Sequence, residues 1–85
     1  MGDYPKALCY YEKDLTISQQ SLPSNHPSLG ATYNNIGVVY ENMGNYSKAH
    51  SFYERAVQIG QQSLPSNHPT LQQRRRNLEN IKKKL

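Results

Sequence analysis

Apolar and aromatic residues return at helical spacing along most of the chain. Between Pro27 and Met43, Leu29, Tyr33, Ile36, Tyr40 and Met43 step by four, three, four and three, which is one stripe of an amphipathic helix. Pro27 suits the first turn, where its missing N–H costs nothing. His26 or Asn25 is the expected cap of that turn, and Gly44 closes the far end in the left-handed conformation that glycine reaches without steric cost. A second helix is predicted from about Asn45 to Ser63, with Tyr46, Ala49, Tyr53 and Ala56 on one stripe and Phe52 and Val57 widening it. It stops at Leu64, because the residue before a proline is pushed out of the α region. Asp3 to Ser21, with Tyr4, Ala7, Leu8, Tyr11, Leu15 and Ile17 apolar, predicts a helix of the same kind, and Pro69 to about Lys84 predicts the last. The expectation is an all-α chain of four helices, each antiparallel to its neighbours, joined by alternating short and proline-containing turns.

The same pattern is written twice. Gln19–Pro27, QQSLPSNHP, recurs unchanged at Gln61–Pro69, an offset of 42 residues. At that offset Tyr4, Lys6, Ala7, Tyr11, Glu12 and Ile17 meet Tyr46, Lys48, Ala49, Tyr53, Glu54 and Ile59. Repetition at such a period marks a solenoid, whose units bury their apolar faces by stacking on one another. Function is then expected on a stacked surface and not in an enclosed pocket.

Tyr33-x-x-Ile36-Gly37-x-x-Tyr40 followed by Ala49-x-x-x-Tyr53 resembles the tetratricopeptide pattern, aromatic-x2-Leu-Gly-x2-Tyr and then Ala-x3-aromatic. Gly37 and Ala49 hold the small positions where two helices of a pair approach. The usual unit of about 34 residues is lengthened here through Gln61-Gln62-Ser63. With the Leu-x-x-x-His-Pro connector and the Asn34-Asn35-Ile36 run, the chain is similar to kinesin light chain repeats. The resemblance implies an α-solenoid of one repeat domain, with residues 1–26 as a second-type helix and connector, 27–68 as a complete repeat, and 69–85 as a capping helix. In that last helix Arg75, Glu79 and Lys82 stand where Tyr33, Gly37 and Tyr40 stand in the repeat. A polar outer face of this kind suits a terminal cap, while Leu71, Leu78, Ile81 and Leu85 are expected to cover the preceding pair.

In this family the helices beginning at Pro27 and Pro69 line a concave groove that captures extended peptides. Carried over by position, Asn34, Asn35, Val38, Glu41 and Asn42 would face the groove from one helix, and Gln73, Arg76, Asn77, Asn80 and Lys83 from the other. Arg, Asn and Lys one turn apart suit a carboxylate-bearing ligand, because Arg forks and amide donors satisfy carboxylate oxygens. The function implied is a protein-interaction module, not an enzyme, that binds an extended and acidic peptide and needs no cofactor. The competing account of the charges is that Arg74, Arg75, Arg76 and Lys82, Lys83 and Lys84 solvate a terminal helix and favour its dipole.

Charge is unevenly placed. Residues 1–73 carry four Lys/Arg against five Asp/Glu, whereas residues 74–85 carry a net +5. A basic segment attracts phosphate as well as carboxylate. No aromatic residues interleave the RRR and KKK clusters, however, so nucleic acid is an unfavoured partner. No apolar run approaches the roughly 20 residues of a membrane-spanning helix, so no membrane partner is expected. The N-terminus has no basic n-region followed by an apolar h-region, so no secretory signal is expected there.

Cys9 is the one cysteine, which excludes an internal disulfide or thiolate cluster and fits a reducing, cytoplasmic setting. It has no visible activating base, and it aligns with Ser51. His26 and His68 are repeat equivalents a unit apart and read as helix caps and not as metal ligands. No Gly-rich phosphate loop or nucleophile elbow is present. The first helix lacks the partner that precedes its counterpart, so Leu8, Tyr11 and Leu15 are expected to be exposed. The chain is therefore expected to be part of a longer array or an oligomer, paired through that face or exchanged about the Asn42-Met43-Gly44-Asn45 turn.

Overall fold

The computed structural model describes residues 3–22 and 26–85. The cap candidate Asn25 and Pro23 of the first connector lie outside them. Four helices follow in order: α1 (Tyr4–Ser21), α2 (Pro27–Asn42), α3 (Tyr46–Ser63) and α4 (Pro69–Lys82).

Side-chain chemistry sets the helix starts. Asp3 and Asn45 cap α1 and α3, the side-chain Oδ1 of each accepting from the Lys6 and Lys48 amides at 3.2 and 3.4 Å. His26 and His68 cap α2 and α4, each Nδ1 accepting an amide N–H, from Ser28 and Thr70 respectively, at 3.1 Å. The prolines at Pro27 and Pro69 follow each His directly. These bonds satisfy amides that the first turn cannot pair internally.

The α2–α3 turn closes as the glycine requires. Gly44 has φ +81, its amide donates to the Glu41 carbonyl at 3.0 Å, and the Asn45 amide donates to the Tyr40 carbonyl at 2.9 Å. This is the paired-bond ending that places a left-handed residue just after the helix. Met43 precedes that reversal and is 44% exposed, so the last member of the α2 stripe does not reach the core. At the other end α4 stops at Lys82, two residues short of the expected Lys84. Leu85 lies beyond it and is 64% exposed, leaving Leu71, Leu78 and Ile81 to cover α3.

Packing runs between successive helices, and the all-α repeat architecture stands as expected. Gly37 faces Tyr53 and Gly30 faces Ile59, so contacts retreat along α2 as they advance along α3, the signature of an antiparallel pair. One core cluster joins Leu29, Tyr33, Ala56 and Ile59, with Leu15 and Phe52 against it. Another joins Ala49, Tyr53 and Ile81, with Tyr40, Tyr46 and Leu78 against it. Phe52 stacks on Tyr40 at 5.5 Å between centroids, which links the two clusters. Gly37 is required here because an added Cβ would lie 2.8 Å from Tyr53 Cδ1 and Cε1.

On α1 no residue is buried. Leu8, Tyr11 and Leu15 are nevertheless half-buried, so the exposure expected of them falls instead on Tyr10 at 69% and Ile17 at 64%. The reason is rotational: α2 packs on the side of α1 that carries Asp14, Leu15 and Gln19, and Tyr10 and Ile17 are left exposed.

Candidate functional site

The faces of α2 and α4 that do not pack on α3 form one continuous polar surface. Asn77 Nδ2 donates to Asn34 Oδ1 at 3.2 Å across the two helices, and Gln73 Nε2 donates to Asn77 Oδ1 at 3.4 Å. Three amides are thereby aligned in a row. Asn34 and Asn77 are half-buried; Asn35, Val38, Asn42, Gln73, Arg76, Asn80 and Lys83 are exposed.

Glu41 stands apart from the rest of this set. Its Oε1 accepts from the Tyr53 hydroxyl at 2.7 Å, and its Oε2 pairs with Lys84 Nζ at 2.7 Å. The Lys84 hydrogen bond, and to a lesser degree that of Tyr53, holds the Glu41 carboxyl below its ordinary range. Glu41 is committed internally, and the cation that reaches it is Lys84. Lys83, at the α4 C-cap, is exposed. Sequence position alone did not single out Lys84. Its contact arises because the chain beyond Lys82 winds through one further turn, with the Lys84 amide donating to the Ile81 carbonyl at 3.0 Å.

Arg74 corrects the view of the basic residues as a solvated run. It is only 8% exposed. Its Nη1 sits 2.8 Å from where a Cβ on Gly30 would stand, in space left by that glycine's missing side chain. That nitrogen has no hydrogen-bond partner, and burial lowers the guanidinium pKa from its ordinary value. The repeat explains the vacancy. The residue equivalent to Arg74 is Thr32, whose hydroxyl lies 3.2 Å from Asp14 Oδ2. At the position equivalent to Asp14 the second unit has Ala56, so the guanidinium inherits the place without an acceptor. Aligning the two units as pairs of positions carries that signal.

The other cations lie differently. Arg75 is half-buried and Arg76, Lys82 and Lys83 are exposed, while Lys48 and Arg55 lie over the Tyr40 and Tyr33 rings at 5.4 and 5.5 Å. Among the described residues no helix is long and apolar enough to cross a membrane.

The antiparallel pair α2–α3, with Gly37 and Ala49 at its close contacts and α4 stacked on it, carries the tetratricopeptide geometry. The Tetratricopeptide repeat family model matches residues 1–62. The chain belongs to the tetratricopeptide-repeat family. No curated protein matches the chain. This family is an interaction scaffold that binds protein partners.

Proposed function

We propose that this tetratricopeptide segment captures an extended, acidic peptide along the face shared by α2 and α4. The observation that carries the reading is the Asn77–Asn34 hydrogen bond at 3.2 Å, which joins the two first-type helices into a single strip of amide groups. Amides present donors and acceptors to a peptide backbone. Arg76 replaces Asn34 at the repeat offset and adds a bidentate donor for carboxylate beside that strip. Lys83 and Asn80 extend it along α4, and Val38 supplies an apolar contact on α2. Glu41, the acidic member, is neutralised by Lys84, so the strip presents net positive charge to a ligand.

The test is calorimetric titration of the chain with a short Asp/Glu-rich peptide at low and high salt. Arg76→Glu is expected to weaken binding by roughly tenfold or more, since a charge-assisted hydrogen bond is worth about 1.5–3 kcal/mol. Added salt weakens it as well. Helicity stays unchanged, because Arg76 is exposed. Equal affinity of the wild type and Arg76→Glu would remove the acidic-peptide reading and leave the charges as a solvating cap.

A further inference from the structure

Lys84 carries the α2/α4 strip further than its amides do. Asn34 bonds Asn77 and Glu41 pairs with Lys84, and both pairs are 43 residues apart in sequence, so they are successive rungs of one seam between α2 and α4. Seven residues, about 10 Å or two helical turns, separate the rungs. The first rung offers amide donors and acceptors to a ligand. At the second the cation is already taken, because Lys84 Nζ lies 2.7 Å from Glu41 Oε2. That is the contact a ligand carboxylate would make with a free lysine.

The two partners of this ion pair are held unequally. Glu41 is fixed from the α3 side, its Oε1 accepting from the Tyr53 hydroxyl at 2.7 Å, and Tyr53 is itself buried. Lys84 stands beyond the end of α4, on a turn closed by its own amide donating to the Ile81 carbonyl at 3.0 Å and by the Leu85 amide donating to the Lys82 carbonyl at 3.3 Å. Its ammonium sits on a flexible four-carbon stem, and besides Glu41 it touches the Tyr46 ring, 5.4 Å from the centroid. The side chains of the pair are 45% and 26% exposed, so water and ligands reach it and the attraction between its members is weak. A carboxylate anchored from behind and a cation free to swing make a contact that an incoming carboxylate can displace, and Tyr53 still satisfies Glu41 after Lys84 has left.

We propose that Glu41 is an intramolecular competitor of the acidic ligand, holding Lys84 until a ligand carboxylate takes it over; this rests on the acidic-peptide reading of the strip. Calorimetric titration with the same Asp/Glu-rich peptide tests it. Glu41→Gln keeps an oxygen acceptor for the Tyr53 hydroxyl and frees Lys84, so affinity is expected to rise by about two- to fivefold, the range that an exposed ion pair withholds. Glu79→Gln makes the same change of net charge at an exposed position outside the strip and is expected to raise affinity less. Added to Glu41→Gln, Lys84→Gln should cancel the gain, whereas Lys82→Gln, equal in charge, should preserve most of it. Circular dichroism accompanies each variant. If Glu41→Gln loses helicity, Lys84→Gln and Lys82→Gln in the otherwise unchanged chain decide: Lys84→Gln bares the Glu41 carboxylate and should weaken binding more, and equal losses overturn the proposal. A folded Glu41→Gln chain that binds no tighter than Glu79→Gln, or whose gain survives Lys84→Gln, also overturns it, while wild-type binding that Arg76→Glu weakens leaves the acidic-peptide reading standing. A peptide bound by none of these chains overturns both.

Discussion

Gly37→Ala probes the closest helix contact. The new Cβ would stand 2.8 Å from both Tyr53 Cδ1 and Cε1 and 3.3 Å from Cγ, whereas carbon atoms rest about 3.5–4.0 Å apart. The overlap is therefore roughly 1 Å against a ring and not a movable chain end. Tyr53 cannot retreat, being 1% exposed with its hydroxyl held by Glu41 at 2.7 Å. Burial and the neighbouring carboxylate also raise the Tyr53 pKa well above its ordinary value, so the phenol stays a donor. Overpacking of this kind costs about 1–3 kcal/mol, and replacing a mid-helix glycine by alanine returns up to about 1 kcal/mol. The net loss is about 1–2 kcal/mol. In a chain of this size each kcal/mol moves Tm by about 4–8 °C, so thermal melts followed by circular dichroism at one fixed concentration should show a fall of roughly 5–15 °C. Gly60→Ala is the internal comparison: its Cβ would press on one terminal methyl, Leu71 Cδ1 at 2.7 Å, and not on three atoms of a rigid ring, so the fall is smaller. A Gly37→Ala chain as stable as the wild type, or less damaged than Gly60→Ala, would refute the view that the Tyr53 ring sets the α2–α3 distance.

Two further outcomes follow from the buried and paired charges. Arg74→Met removes a buried nitrogen without a partner and keeps the apolar stem, so denaturant unfolding should show stability unchanged or raised by about 1 kcal/mol; a clear loss would mean that the guanidinium is satisfied in solution. Glu41 has its carboxyl pKa lowered chiefly by Lys84, so its folded form binds a proton less readily than its unfolded form. Its contribution is complete above the ordinary carboxylate pKa and is lost as pH falls through the lowered folded value. Melts across the acid range should therefore show a smaller pH-dependent loss for Glu41→Gln than for the wild type, and identical profiles would remove Glu41 from the acid response.

Much of the architecture is legible in the chain itself. The four helices follow from local rules: period 3.6 in the apolar stripes, the caps at Asp3, His26, Asn45 and His68, and the breaks before Pro65 and at Gly44. These depend on residues within a turn of one another, which is why reading along the chain finds them. The small contact at Gly37 is equally visible, because only a residue without a Cβ permits that approach. The candidate strip was legible as a set of positions. The Asn77–Asn34 bond that joins it spans two helices separated in sequence by all of α3, and no local rule reports such a distance.

Three particulars were decided by tertiary structure alone. Burial of Arg74 depends on Gly30 of another helix leaving room for its guanidinium, a coincidence between elements distant in sequence. Lys84, not Lys83, pairs with Glu41 because α4 ends at Lys82 and the turn beyond it sets which side chain points back. Exposure on α1 settles on Tyr10 and Ile17 instead of Leu8, Tyr11 and Leu15, because a helix with apolar residues on much of its circumference can face its partner in several ways. Periodicity shows that such a face exists, and the rotation that buries part of it is set by the neighbour, here α2 pressing Tyr33 and Thr32 against the side of α1 that carries Leu15 and Asp14.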